Sequence, residues 1–182
     1  MKQQNSKGML QAFAVVAVLL VQPLRAEMLE KTMTAGGMTV HYKVVLPNDY
    51  DPAKAYPAVV ALGGGPQDMF TVDNILNRNF RAEAEKRGYI VVAPAAPDGE
   101  LFFNEGARIF PEFLKMIMAD HKIQDDKFHV AGPLNGGIAA LHIAAANPQY
   151  FLSVTSFSWI HVAARRHKVA GDLQDVRFHV CR

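Results

Sequence analysis

The sequence predicts an α/β fold, a three-layer sandwich in which helices cover both faces of a mostly parallel sheet. Short apolar runs typical of buried strands alternate with segments of helical spacing, and glycine or proline clusters separate them. No linker or repeat divides the chain into two domains. Half of the 182 residues are hydrophobic, which is enough for one sizeable core.

The first half of the chain contains three predicted strands and one helix. Residues 40–46 alternate in polarity, which indicates a partly exposed strand. Residues 57–62 form a continuous apolar run that ends at a glycine triplet, as in a strand buried on both faces. Helical spacing over 75–86 predicts a helix that Gly88 ends, and residues 89–93 form the next buried strand.

The same alternation continues in the second half. Apolar residues at helical spacing over 107–121 predict an amphipathic helix, and residues 127–131 form another strand. The remaining predicted elements are a small-residue helix at 137–146, a strand at 151–157, a helix at 161–169 and a last strand at 176–181.

Residues 1–26 have the pattern of a secretion signal. Two lysines precede an apolar run over 9–21, and cleavage is expected after Ala26. The run is shorter than the roughly 20 residues that a stable membrane span needs. An uncleaved anchor is the alternative, because Leu24 is larger than the residue that such cleavage sites favour. We therefore expect a secreted or periplasmic domain over 27–182.

Charge and cysteine content exclude several kinds of site. The net charge of +2 becomes −1 without the signal, because that segment contains three basic residues and no acid. A near-neutral domain gives no reason to expect nucleic-acid binding. Cys181 is the only cysteine, so no intrachain disulfide can form. Cys181 and His179 share a strand face without a third ligand, so we expect no metal and no cofactor.

The segment 132–137 lies between a predicted strand and the small-residue helix. Catalytic groups of such sheets lie beyond the carboxyl ends of the strands, which directs attention to 63–68, 94–106 and 132–137. A strand, a sharp turn and a helix are also the context of the nucleophile elbow, GxSxG. Here the turn has the elbow glycines Gly132, Gly136 and Gly137, but Leu134 stands in place of the serine.

Four segments, 57–68, 97–106, 128–137 and 143–154, together resemble the secreted esterase and dienelactone-hydrolase-like branch of the α/β-hydrolase superfamily. The resemblance extends over about residues 40–159, and the order of the segments carries it. It implies an α/β-hydrolase-like sandwich and the chemistry of a serine carboxyl-ester hydrolase. In that chemistry a serine attacks the ester, a histidine takes its proton and an acid orients the histidine.

By this resemblance the nucleophile falls on Leu134. The two backbone donors that stabilise an oxyanion fall on Asn135 and on one of Gly63, Gly64 or Gly65. Leucine has neither a lone pair nor a proton to give, so we expect a catalytically inactive protein. Backbone donors do not depend on the lost side chain and are expected to survive.

The resemblance also implies that the acid and histidine loops are absent. In the family the acid follows the strand after 151–157, and here that strand is predicted at 176–181, where the sequence stops. The last strand, its helices and both loops are therefore expected to be missing. Other polar residues are interpreted as surface or strand residues rather than triad members: Ser153, Ser156, Ser158, His161, His167, Asp172 and Asp175.

Two local questions and three functions stay open at this point. Phe102, Phe103 and Asn104 either line a substrate pocket or anchor their loop, and the turn at 133–136 either keeps the strained elbow or relaxes. The resemblance implies an ester hydrolase. The alternatives are a pseudohydrolase that binds a small ester or carbohydrate ester, and an incomplete gene product with an exposed sheet edge.

Overall fold

The computed structural model describes residues 28–157 and 177–180, with side chains through Phe157 and at Arg177. The predicted signal at 1–26 and helix at 161–169 lie outside these residues. So do the following side chains considered above: Ser158, His161, His167, Asp172, Asp175, His179 and Cys181.

Seven strands form one sheet. They are β1 (Met28–Ala35), β2 (Met38–Val45), β3 (Tyr56–Ala61), β4 (Ile90–Pro94), β5 (Ile123–Pro133), β6 (Phe151–Phe157) and β7 (Arg177–Val180). Their order is β1-β2-β4-β3-β5-β6-β7, and only β2 runs against the common direction. The mostly parallel sheet predicted from the alternating strands and helices is confirmed.

The sheet begins with a hairpin whose first strand the sequence prediction omitted. Gly36 and Gly37 connect β1 and β2 as a two-residue loop, and their φ angles are +58° and +74°. Positive φ at both central residues is what a type I′ hairpin turn requires. The predicted strand at 40–46 corresponds to the second strand alone.

The first helical region is longer than its predicted range of 75–86. Helix α1 (Met69–Ile75), a π-helical turn (Leu76–Phe80) and helix α2 (Arg81–Arg87) follow one another directly. The Asp68 carboxylate caps α1 by accepting hydrogen bonds from the Thr71 N–H (2.8 Å) and hydroxyl (2.7 Å). These two bonds hold the pKa of the Asp68 carboxyl below its usual range.

The helices cover both faces of the sheet, as predicted. Helices α3 (Phe110–Asp120) and α4 (Asn135–Ala146) pack on one face around the larger apolar core, whereas α1 and α2 pack on the other around a smaller one. Neighbouring strand residues alternate between the two cores, as Val91 and Val92 do. None of the described helices is long and apolar enough to cross a membrane.

Candidate functional site

The turn between β5 and α4 has a strained backbone at Leu134. Its φ is +48° and its ψ is −120°, a conformation that non-glycine residues rarely adopt. The Leu134 carbonyl accepts hydrogen bonds from the N–H groups of Gly137 (2.9 Å) and Ile138 (3.1 Å), which closes the first turn of α4. The side chain is 53% exposed. Of the two turn shapes that the sequence left open, the structure has the strained elbow.

Three glycines allow the helix to approach the sheet closely at this turn. A Cβ atom on Gly132 would lie 2.6 Å from the Leu62 carbonyl oxygen, and one on Gly136 would lie 2.7 Å from the Gly63 carbonyl oxygen. A Cβ atom on Gly137 would lie 2.9 Å from the Gly132 carbonyl oxygen. All of these atoms belong to the backbone and cannot rotate away. The glycines therefore fix the position of the elbow.

The loop after β3 lies against the elbow through Gly64. A Cβ atom on Gly64 would be 3.2 Å from the Pro133 carbonyl oxygen and 3.6 Å from the Leu134 Cβ. A Cβ atom on Gly63 would instead touch Thr71, and one on Gly65 would meet nothing within 4 Å. Among the three glycines, Gly64 is therefore the one whose Cα faces Pro133 and Leu134.

Gly64 lies against Pro133 and Leu134, and Asn135 is the first residue of α4 directly after Leu134. Within the described residues, neither the Gly64 N–H nor the Asn135 N–H donates to another backbone group. The Asn135 side-chain amide donates to the Gly65 carbonyl (3.0 Å), which fastens the loop to the start of α4. Helix α4 also directs the positive end of its dipole to this turn. The arrangement can bind the oxygen of a carbonyl group or a carboxylate.

Gln67 is a buried residue of this site that the sequence reasoning missed. Its side chain is fully buried and its φ is +58°. Its amide nitrogen donates to the Gly63 carbonyl (3.2 Å), and its amide oxygen accepts the Phe102 N–H (2.9 Å). Its own carbonyl accepts the Ala96 N–H (2.7 Å). In the sequence, a glutamine in a turn looks like a surface residue, so only the fold reveals these bonds.

The three residues of the second loop lie in different environments. Phe102 is fully buried and contacts the Phe110 ring edge-to-face, with 5.1 Å between centroids, so its side chain anchors the loop to the core. Phe103 is half-buried against the same core. Asn104 is exposed, and its carbonyl accepts the Ala107 N–H at 3.0 Å. A pocket-lining role for Phe103 and Asn104 stays a prediction.

Three of the four histidine side chains that the structure describes have hydrogen bonds elsewhere in the fold, and the fourth, His142, is exposed on α4. His41 bonds to Thr32 (3.1 Å), His121 to Tyr50 (2.8 Å) and His129 to Ser153 (2.7 Å). Each of these partners belongs to a strand or loop other than the elbow. The structure therefore pairs these three histidines with groups that are not at the position of Leu134.

One apolar cavity lies away from the elbow. It has a volume of about 160 Å³ and lies between α2 and strands β3 and β4, on the face opposite α4. Its lining residues are Val59, Phe80, Glu83, Ala84, Arg87, Tyr89 and Val91. The candidate site at the elbow is thus separate from this cavity.

The sequence matches no protein-family model. It is 28% identical over 150 residues to dipeptidyl-peptidase 5 of Porphyromonas gingivalis, which covers 76% of this chain and 22% of that protein. The chain thus spans about a fifth of the length of this curated relative.

Solved structures of hydrolases have the same fold. A ferulic acid esterase has a TM-score of 0.61 at 18% identity, covering 74% of this chain and 59% of the esterase. An S-formylglutathione hydrolase from Agrobacterium tumefaciens has a TM-score of 0.59 at 17% identity, covering 75% of this chain and 61% of the hydrolase. At these identities the likeness shows the fold alone.

Proposed function

Because the chain has the α/β-hydrolase fold, we propose that it is a non-catalytic member that binds the carbonyl group of a small ester. The ligand oxygen accepts hydrogen bonds from the N–H groups of Gly64 and Asn135. The observation that carries this proposal is the strained backbone of Leu134, which stands in the nucleophile position with a chemically inert side chain.

Strain and chemistry favour binding without turnover. A backbone such as that of Leu134 costs about 1 to 3 kcal/mol and persists only where its surroundings hold it. The surrounding glycines do so, and they keep Gly64 against the turn. Loss of the nucleophile costs serine hydrolases on the order of a millionfold in rate, whereas backbone donors are unaffected by the side chain.

The relatives' activities support the ligand class and no more. Two of the similar structures are an esterase and a hydrolase by name. Their likeness concerns the fold, and the dipeptidyl-peptidase is matched over only 22% of its length. Ester hydrolysis by this chain is the competing proposal, and its weakness is the missing nucleophile at Leu134.

A combined activity and binding experiment tests the proposal on the full chain. We expect no labelling by a fluorophosphonate probe, no turnover of a nitrophenyl ester above buffer, and a cooperative thermal melt. Methyl butyrate should shift the NMR amide signals of Gly64 and Asn135. Labelling or turnover would contradict the non-catalytic proposal, and a broad melt would favour an incomplete gene product.

Two variants of equal size provide a matched control for the binding site. Leu134→Asp places a carboxylate beside the two N–H groups, where it should compete with the ester oxygen and abolish methyl butyrate binding. Leu134→Asn has nearly the same shape and no charge, so it should leave binding within a few-fold of the wild-type value. Equal binding by both variants would place the ester elsewhere.

Leu134→Ser should restore no ester turnover. The hydrogen bonds of His41, His121 and His129 go to groups other than the elbow, so none of these three histidines is positioned as a base for the new hydroxyl. The measurement is nitrophenyl-ester hydrolysis by the purified variant, with Leu134→Ala as the control. Turnover above that of the alanine variant would show that a base reaches the elbow.

We further propose that the protein is exported. The support is the sequence of residues 1–26, which lie outside the described residues. Expression in a Gram-negative host should yield periplasmic protein whose first residue is Glu27, as read by N-terminal sequencing. Retention of the intact N-terminus in the membrane fraction would favour the uncleaved anchor.

A further inference from the structure

We propose that Gln67 is the positioning residue of the carbonyl-binding site, because its side-chain amide aims the Gly64 N–H and sets the neighbouring loop. The inference rests on the proposed carbonyl-binding function for its biological meaning. The effect of Gln67 on the orientation of the Gly64 N–H can be measured without a ligand.

The peptide unit between Gly63 and Gly64 links the Gln67 side chain to the Gly64 N–H. The carbonyl of Gly63 and the N–H of Gly64 belong to the same planar unit, and it is trans. They therefore point in opposite directions. The Gln67 amide nitrogen donates to the Gly63 carbonyl at 3.2 Å and so fixes that plane. Fixing the plane also fixes the direction of the Gly64 N–H.

The amide oxygen of Gln67 also makes a hydrogen bond, to the loop that contains Phe102. The Gln67 amide oxygen accepts the Phe102 N–H at 2.9 Å. The loop that contains Phe103 and Asn104 begins there, and the Phe102 ring holds it to the core. One side chain therefore sets the carbonyl-binding loop and the adjacent loop relative to each other.

The two hydrogen bonds at position 67 explain why a glutamine is found there. The fully buried position needs a donor toward Gly63 and an acceptor toward Phe102, and the glutamine carboxamide offers one on each of its two terminal atoms. The backbone of Gln67 also has a φ of +58°, which is costly for a residue with a side chain. Glycine would remove that strain but could make neither bond, so these bonds are the physical reason for a glutamine here.

The variant Gln67→Glu tests this role through pH. When it is ionised, toward the alkaline end of the pH range, a carboxylate accepts from Phe102 but repels the Gly63 carbonyl, so the amide signal of Gly64 should move and methyl butyrate should bind at least tenfold more weakly. Burial raises the pKa of a carboxyl group. Once protonated at lower pH, the same side chain can donate and accept, so both the signal and the affinity should return toward wild-type values.

Two further variants complete the experiment. Gln67→Met makes neither bond and should show the displaced Gly64 signal at every pH. Gln149→Met is the matched control, because Gln149 is exposed in the turn before β6 and should change neither reading. Methyl butyrate stays neutral over the whole pH range, so its own titration does not contribute.

The outcomes separate the two proposals. An unchanged Gly64 signal in both Gln67→Glu and Gln67→Met, or no pH-dependent recovery in Gln67→Glu, would overturn the positioning role. If methyl butyrate fails to bind the wild-type chain, the carbonyl-binding function is wrong, while the ligand-free Gly64 signal still decides the role of Gln67. If Gln67→Met does not fold, the recovery within Gln67→Glu decides it alone.

Discussion

Strain at Leu134 is local and has an identifiable cause. The residue adopts a φ of +48° and a ψ of −120° because the glycines around it hold β5 and α4 close together. Its side chain is more than half exposed and gains little burial energy in return. A leucine in this position is therefore a net cost to the stability of the fold.

Leu134→Gly should raise the free energy of unfolding by about 1 kcal/mol. Glycine removes a strain of about 1 to 3 kcal/mol, and its greater freedom in the unfolded chain offsets up to about 1 kcal/mol of that gain. Leu134→Ala keeps the Cβ atom and the strain, so it should change stability little. Urea denaturation of both variants checks this, and equal stability would show that the turn is unstrained.

His121 is a second residue whose environment has a measurable effect. It follows the last residue of α3, and its Nδ1 bonds to the Tyr50 hydroxyl at 2.8 Å. Its Nε2 is buried without a hydrogen-bond partner among the described residues. Burial lowers the pKa of His121, the nearby Lys31 lowers it further, and Asp120 opposes both effects.

Stability should fall as the pH drops below about 6.5, the ordinary imidazole pKa. Between pH 6.5 and the lowered pKa of folded His121, the unfolded chain binds a proton that the folded protein does not, so acid favours unfolding. Below that lowered pKa both states bind the proton, and His121 causes no further loss of stability. His121→Gln should flatten this part of a stability profile from pH 8 to 5. The exposed His142 is the control, and His142→Gln should keep the slope. An unchanged slope in His121→Gln would refute the assignment.

At the scale of elements, the close contact between α4 and the sheet depends on glycines, which have no Cβ atom. The backbone of Gly136 approaches the carbonyl groups of Leu62 and Gly63 so closely that a methyl group has no space. Small residues continue along the helix, and Ala139 and Ala140 are fully buried. This close packing places the Leu134 turn beside Gly64.

Gly136→Ala should destabilise the fold by about 3 kcal/mol, because the new methyl group meets fixed backbone atoms and α4 must move away. Gly37→Ala, at an open position with a φ of +74°, should cost only about 1 kcal/mol from backbone strain. Thermal unfolding of both variants provides the comparison. Equal losses of stability in Gly136→Ala and Gly37→Ala would mean that α4 moves away from the sheet without an energetic cost.

Helix periodicity explains which boundaries could be predicted. The range 75–86 was predicted from spacing, yet the helical region begins at Met69. The π-helical turn at Leu76–Phe80 shifts the phase of the apolar residues, so a 3.6-residue period cannot follow the helix through it. By contrast, β6 contains no such shift and has the predicted bounds, Phe151–Phe157.

At the scale of the molecule, the two faces of the sheet are not equally packed. The core under α3 and α4 contains large aromatic side chains, including Phe102, Phe110, Phe113 and Phe128. The core under α1 and α2 consists of smaller residues and lies next to the cavity of about 160 Å³. Less buried apolar surface means less resistance to local opening.

Amide hydrogens of α2 should therefore exchange faster than those of α4. Native-state hydrogen exchange measured by NMR at constant pH would give the opening free energy of each helix. We expect the values for α4 to approach the global free energy of unfolding and those for α2 to lie clearly below it. Equal values would show that the two faces open together.

The sequence by itself determined the layered α/β architecture and the turn at 132–137 with Leu134 in it. These follow from local features: apolar runs, glycine positions and the residue type at Leu134. By contrast, the hydrogen-bond partners of a loop residue can be distant in the sequence, as Phe102 is from Gln67. The contact of Gly64 with Pro133 and Leu134, the strained shape of the turn and the two side-chain hydrogen bonds of Gln67 were decided only when the sheet brought distant loops together. Tertiary structure decides such features because they depend on which backbone groups meet, and sequence spacing does not contain that information.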